Sequence, residues 1–180
     1  MHRLFVALRP PLEIRRHCLA AMAGGPPGWA WQDDAQLHVT LRFIGEVERP
    51  VAEDIASALN SVRAPAAKIG LHGVGFFDQG RQGVLFARTI PRDLLEALHK
   101  KVDRALTGVG LPPERRAFLP HITLARRRKT GADPAGWLKA HSALSAPAEP
   151  VGEFILYESH LGRDGPHYEP IAAYPLAGLR

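Results

Sequence analysis

The chain has 180 residues, of which 46% are hydrophobic and 23% charged, with one cysteine and a formal net charge of +5 at pH 7. This length allows a domain with a sizeable buried core, no apolar run is long enough to span a bilayer, and the lone Cys18 excludes a disulfide framework within the chain. We therefore expect a single domain over residues 1–180, a cytoplasmic monomer with no membrane segment, whose basic charge favours polyanionic partners such as RNA.

Hydrophobic spacing and turn residues predict a mixed succession of strands and helices. In chain order these are a strand over 4–8, a helix over 11–22, a strand over 37–44, a helix over 51–62, strands over 68–77 and 83–89 joined by the loop "DQGRQG", a helix over 94–106, a strand over 121–126, a short helix over 134–144, and strands over 153–161 and 167–176. Hairpins among helices indicate an α+β fold with antiparallel sheets.

One short pattern, His-x-Thr-Leu, occurs twice, at His38–Leu41 and at His121–Leu124. Side chains in a strand alternate between faces, so each histidine shares a face with its threonine while the apolar neighbours take the other face. Each half of the predicted order contains such a strand, a helix and a hairpin. Two small sheets related by a pseudo-twofold axis would therefore bring the two motifs together across a central cleft.

The two motifs contain the residue types that phosphodiester cleavage requires. His38 and His121, on opposite sides of a phosphorus atom, would supply the acid and the base of an in-line displacement. Thr40 and Thr123 would hydrogen-bond the non-bridging oxygens as negative charge builds on them. With ordinary histidine pKa values near 6.5, such a pair would give a rate profile that brackets neutral pH.

Two basic clusters, Arg115–Arg116 and Arg126–Lys129, flank the second motif. Such runs are usually a solvated face, but these abut a candidate site and are expected to meet phosphate. Neither motif has a carboxylate within two residues of its histidine, so we expect no metal and no cofactor. We expect His99 on a solvated helix face and His160 and His167 at a surface turn.

The chain resembles the 2H phosphoesterase superfamily, and within it the bacterial and archaeal RNA 2′,3′-cyclic phosphodiesterases, once called 2′-5′ RNA ligases. The resemblance runs through the whole chain and is carried by "RLFVAL", "WAWQDDAQLHVTLRFIGEV", "GVGFF", "VLFAR", "LPPERRAFLPHITLARRR" and "FILYESHLGRDGPHYEPIAAYPL". It implies a bilobal fold of two antiparallel sheets with outer helices, and a central cleft that both motifs line.

The resemblance also implies an activity and a set of roles. The activity is metal-independent hydrolysis of a 2′,3′-cyclic phosphate, at RNA ends or on nucleotides, to a 2′-phosphate. The proton donor falls on His38 and the proton acceptor on His121. Thr40 and Thr123 fall on the phosphate contacts.

Two further substrate contacts follow from the resemblance but conflict with strand alternation. Arg126 matches an arginine after the second motif, yet it has the opposite parity to His121 and reaches the cleft only if the strand ends or bulges there. Phe43 matches an aromatic position suited to stacking on a base, whereas alternation alone makes it a core residue. Both interpretations of Phe43 stay open at this point.

Two other functions are compatible with the same residues. One is a 2′-5′ RNA ligase, which would join the cyclic phosphate to a 5′-hydroxyl in place of water. The other is a basic RNA-binding protein without chemistry, which the completeness of both motifs argues against.

Overall fold

The computed structural model describes residues 1–80 and 82–177; Arg81, in the predicted hairpin loop, lies outside the described residues. The strands are β1 His2–Leu8, β2 Trp29–Trp31, β3 Val39–Val47, β4 Ala67–Gln79, β5 Gln82–Ile90, β6 His121–Arg127, β7 Ser145–Val151, β8 Glu153–Gly162 and β9 Gly165–Pro175. The helices are α1 Leu12–Met22, α2 Arg49–Leu59, α3 Arg92–Gly108 and α4 Ala135–Ala140, and a short 3₁₀ helix spans Asp34–Gln36.

The strands form an antiparallel sheet in the order β7-β4-β5-β6-β3-β1-β8-β9, with β2 added beside β6. The two motif strands, β3 and β6, lie in the middle, and in the described chain they are joined by the single pair Val39–Ile122. This junction divides the sheet into lobe one (β3, β1, β8, β9) and lobe two (β6, β5, β4, β7, with β2). The predicted α+β fold with antiparallel strands is confirmed. The two sheets that the sequence predicted are joined through the Val39–Ile122 pair into one continuous sheet in the described chain.

The helices pack against one face of the sheet. The helix α3 contacts β3 and β4, α1 contacts β4 and β7, and α2 contacts β1. The apolar side chains of the motif strands, among them Val39 and Ile122, are fully buried in the core on that side. The histidines and threonines alternate with them and therefore point to the other face. None of the helices within 1–80 and 82–177 has the length and hydropathy that crossing a membrane requires.

Two strands were absent from the predicted order. The strand β2 has three residues, which is too short for a periodic pattern. The strand β7 contains Pro147 and Pro150, and proline lacks the N–H that a sheet ladder needs. An edge strand tolerates proline because only one of its sides is hydrogen-bonded, and β7 lies at the edge of the sheet beside β4.

Candidate active site

The Val39–Ile122 pair places the two motifs side by side. Because β3 and β6 are antiparallel at this pair, the flanking residues on the opposite face are His38 beside Thr123 and Thr40 beside His121. All four of these residues are half-buried. Each predicted catalytic histidine therefore lies next to the threonine of the other motif, and the four form one cluster.

Both histidines are oriented by the backbone in the same way. Nδ1 of His38 lies 2.7 Å from the carbonyl oxygen of Gln36, and Nδ1 of His121 lies 2.6 Å from that of Leu119. A carbonyl oxygen only accepts hydrogen bonds, so Nδ1 donates in both rings. Nε2 is consequently the nitrogen that remains for proton exchange, and in the neutral ring it has a free lone pair.

Aromatic rings surround each imidazole. The ring centroid of His38 lies 5.0 Å from that of Phe5 and 5.2 Å from that of Tyr168. In lobe two, the ring of His121 lies 5.2 Å from both Phe77 and Phe86. These edge and tilted contacts limit rotation of the imidazoles and exclude water from their flanks.

The apolar surroundings lower the pKa of both histidines. Burial lowers the pKa of His38 to about 4, with the charges of His121, Arg126 and Arg9 acting in the same direction against the opposing hydrogen bond to Gln36. Burial likewise lowers the pKa of His121 below its ordinary value, and Arg126 adds to the effect. In the free protein both rings are therefore neutral at pH 7.

A β-bulge on each motif strand changes which side chains face the cleft. The extra residue is Leu41 on β3 and Leu124 on β6, and β3 has a second extra residue, Ile44, after Phe43. After a bulge the alternation shifts by one residue. Phe43 and Arg126, each five positions after its histidine, thereby move onto the same face as the histidines.

Phe43 and Arg126 line a cavity of about 410 Å³ together with His38 and Thr40. The side chain of Phe43 is 49% exposed, with the guanidinium of Arg3 5.5 Å from its ring centroid. The core placement of Phe43 that strand alternation predicted is therefore wrong, because alternation does not anticipate the bulge. Strand alternation allowed Arg126 to reach the cleft only if β6 ended or bulged before it, and β6 has such a bulge at Leu124.

Two buried polar side chains hold the bulge on β3. Arg42, only 9% exposed, donates to the carbonyl oxygen of Phe43 at 3.0 Å and to the carboxylate of Asp103 at 2.8 Å. Nδ1 of His99 lies 2.6 Å from the carbonyl oxygen of Leu41, to which it donates. The carbonyl groups on both sides of Arg42 therefore have partners from the helix side of the sheet.

The same two residues contact the segment that leads to His121. Arg42 donates to Glu114 and to the carbonyl oxygen of Pro112, and the ring of His99 stacks on Phe118 with centroids 4.3 Å apart. The expectation that His99 lies on a solvated helix face is wrong, since its helix face packs against β3. No sequence signal marked Arg42, because an arginine in an alternating strand normally faces solvent.

The basic run after the second motif does not act as one surface. Arg127 lies over the rings of Trp29 and Phe76, with centroids 5.2 and 4.9 Å away, and donates to the carbonyl oxygen of Gly80. Arg128 and Lys129 are exposed. Arg127 is thus a packing residue. His160 and His167 are exposed on the β8–β9 hairpin, as predicted.

Comparison with known proteins identifies the family. The sequence model of the 2′-5′ RNA ligase superfamily matches residues 10–163. The RNA 2′,3′-cyclic phosphodiesterase of Aeropyrum pernix is 35% identical over 143 residues, which cover 77% of this chain and 81% of the relative. That of Thermus thermophilus is 33% identical over 187 residues, with 98% and 91% covered.

Solved structures agree with the sequence match. The crystal structure of a Thermus thermophilus protein superimposes with a TM-score of 0.81 at 26% identity, covering 99% of this chain and 100% of that one. The crystal structure of Escherichia coli LigT complexed with 3′-AMP gives a TM-score of 0.76 at 27% identity, covering 97% and 98%. The chain therefore belongs to the 2′-5′ RNA ligase superfamily.

Proposed function

We propose that this protein is an RNA 2′,3′-cyclic phosphodiesterase, which hydrolyses the cyclic phosphate at RNA ends, or on nucleotides, to a 2′-phosphate. The observation that carries the proposal is the cluster of His38, Thr123, Thr40 and His121, in which both rings keep Nε2 free. The relatives bearing that name match most of this chain, and the related LigT binds a nucleotide, 3′-AMP.

Hydrolysis proceeds in one in-line displacement. The neutral His121 accepts a proton at Nε2 from a water molecule, and the water oxygen bonds to phosphorus. The bond between phosphorus and the 3′-oxygen breaks on the opposite side. His38 gives its Nε2 proton to that leaving oxygen, so the product has a free 3′-hydroxyl and a 2′-phosphate.

His38 has to gain its acidic proton in the complex with substrate. Nδ1 of His38 already holds a hydrogen against Gln36, so a proton on Nε2 makes the ring an imidazolium. Burial keeps the pKa of His38 at about 4 in the free protein. A phosphate anion bound beside the ring favours the charged form, so the substrate itself promotes protonation of the group that cleaves it.

The remaining predicted residues bind rather than transfer protons. Thr40 and Thr123 donate hydroxyl hydrogens to the non-bridging oxygens, and Arg126 supplies positive charge on the same cavity wall. Phe43 offers an exposed ring for stacking on the base. Two imidazoles supply both proton transfers, and within 1–80 and 82–177 no cluster of three or more His, Cys, Asp or Glu side chains could hold a metal ion.

We also propose that both lobes act as one unit in a single polypeptide, a cytoplasmic monomer. Each lobe supplies one histidine and one threonine to the same cluster, so neither lobe has a complete site. Cys18 is fully buried, and burial raises the pKa of its thiol to about 12, which suits an unreactive cysteine in a reducing compartment.

Incubation with uridine 2′,3′-cyclic phosphate in excess chelator tests the activity, with and without an oligonucleotide bearing a 5′-hydroxyl. The expected result is conversion to a phosphate monoester in both samples. Joining to the oligonucleotide as the main reaction would instead favour the ligase, and binding without conversion would favour a non-catalytic RNA-binding protein. Activity that returns only when metal is added would contradict the metal-independent mechanism.

A further inference from the structure

A second cavity, of about 310 Å³, lies in lobe two beside His121. Its walls include Phe77, Phe86, Arg88, Arg92 and Leu119. The chemistry proposed above needs only the His121 ring and a water molecule on this side of the phosphorus atom. Hydrolysis of the cyclic phosphate therefore leaves most of this cavity unused.

The second cavity lies on the catalytic face of the sheet. Across β5 and β6, Arg88 pairs with His121 and Phe86 pairs with Thr123. Residues paired across antiparallel strands point to the same face. Arg88 and Phe86 therefore extend the surface that holds the phosphate, and a group bound in this cavity is contiguous with it.

Two arginines give this cavity a positive charge. Arg88 is anchored by a hydrogen bond from Nη1 to the carbonyl oxygen of Val74 at 2.6 Å and lies 5.9 Å from the Phe86 ring centroid. Arg92 is exposed and donates to the carbonyl oxygen of Phe118 at 3.3 Å. Among the described residues neither arginine has an acidic partner within salt-bridge distance. Each guanidinium keeps further N–H groups, in a geometry that matches a phosphate.

The rest of the wall is apolar and suits a base. Phe77 stacks on Phe86 with ring centroids 4.2 Å apart. The side chain of Leu119 is 47% exposed at the edge of the cavity, although exposure of a large apolar side chain is unfavourable. Aromatic and aliphatic surface next to guanidinium groups is the combination that single-stranded nucleic acid binds without base preference.

We propose that the second cavity binds the nucleotide that precedes the cyclic phosphate in an RNA chain, with its phosphodiester on Arg88 and Arg92. This inference rests on the proposed function and specifies its substrate class. The preferred substrate is then an RNA end of at least two nucleotides. A mononucleotide cyclic phosphate fills only the site formed by the histidines and the cavity of about 410 Å³ lined by Phe43 and Arg126.

The test compares uridine 2′,3′-cyclic phosphate with the dinucleotide UpU carrying the same cyclic end. The wild-type kcat/KM should be higher for the dinucleotide by about tenfold or more, the effect of a charge-assisted contact. Arg92→Ala should lower kcat/KM for the dinucleotide far more than for the mononucleotide, so that the preference disappears. Arg104→Ala is the matched control, since Arg104 is exposed on the same helix outside the cavity, and it should change neither value.

A contact with phosphate also predicts a salt effect. The slope of log kcat/KM for the dinucleotide against log salt should fall in magnitude by about one in Arg92→Ala. Equal wild-type values for the two substrates would overturn the second subsite while leaving the proposed function intact. A preference that survives in Arg92→Ala would overturn the placement of the nucleotide in this cavity.

Equilibrium binding keeps this test independent of turnover. UpU with a terminal 2′-phosphate should bind more tightly than uridine 2′-phosphate, and Arg92→Ala should remove the difference. If neither cyclic phosphate is hydrolysed but the binding difference is found, the proposed function fails and the subsite stands. Equal affinity for UpU with a terminal 2′-phosphate and for uridine 2′-phosphate would overturn the subsite, whether or not the protein is active.

Discussion

At the scale of the residue, His38 and His121 are each committed to one proton-transfer atom, because Nδ1 of each ring is occupied by a backbone carbonyl. In the proposed mechanism no other side chain takes over the proton transfer of either ring. His38→Ala and His121→Ala should each lower kcat by about 10²–10⁴-fold, the usual range of general acid–base catalysis. His160→Ala, at an exposed position on the β8–β9 hairpin, is the control. A folded variant of either catalytic histidine with near-normal turnover would contradict the mechanism.

The pH dependence also belongs to single residues. In kcat/KM, which reports the free enzyme, His121 must be neutral and His38 protonated. Activity falls at low pH as His121 gains a proton and falls at high pH as His38 loses one. Burial lowers the pKa of both groups, that of His38 to about 4, so the maximum should lie below pH 6.5. The sequence alone predicted a rate profile centred near neutral pH, because it assumed ordinary histidine pKa values and could not include this burial.

Profiles of kcat/KM and kcat against pH from 4 to 9 provide the measurement. The maximum of kcat should lie at higher pH than that of kcat/KM, because bound phosphate favours the imidazolium forms. A kcat/KM maximum above pH 7.5 would show that the histidines of the free protein are not the titrating groups.

At the scale of the element, the bulges on β3 and β6 decide the composition of the site. The faces of His38, Thr40, His121 and Thr123 follow from simple alternation and were predictable. The position of Phe43 followed only from the family resemblance and not from alternation, because a bulge depends on distant partners such as His99 on α3. Sequence periodicity describes one strand at a time, whereas a bulge is defined by the register between two strands.

Substitution of Arg42 measures how much the contacts between β3 and α3 stabilise the bulge on β3. Arg42→Met removes the cation between β3 and α3 and leaves the carboxylate of Asp103, 19% exposed, without its cationic partner, with only the backbone N–H of Glu114 still donating to it. Breaking a buried ion pair from one side costs roughly 3–5 kcal/mol, so the free energy of unfolding in urea should fall by about that amount. The double variant Arg42→Met/Asp103→Asn should recover part of the loss. A loss below about 1 kcal/mol would be typical of an exposed pair and would show that Arg42 does not stabilise the bulge.

At the scale of the whole molecule, the pattern of elements was largely predictable and the junction between the lobes was not. The predicted strands and helices all occur, since each buries an apolar face with the expected period. That β3 and β6 would become neighbours rests on the pairing of Val39 with Ile122, which are far apart in the chain. The repeated His-x-Thr suggested this arrangement only because its chemistry requires two histidines around one phosphate.

The product isomer tests whether both lobes hold one substrate in one orientation. Water activated by His121 in lobe two attacks opposite the oxygen that His38 in lobe one protonates, so only one of the two ring P–O bonds is in line. With the base on Phe43 and the phosphate on Thr40 and Thr123, the ribose has a single orientation, and the product should be the 2′-phosphate alone. Phosphorus NMR of the product from uridine 2′,3′-cyclic phosphate distinguishes the two isomers. A 3′-phosphate would reverse the roles of the lobes, and a mixture would show that the cleft does not orient the ribose.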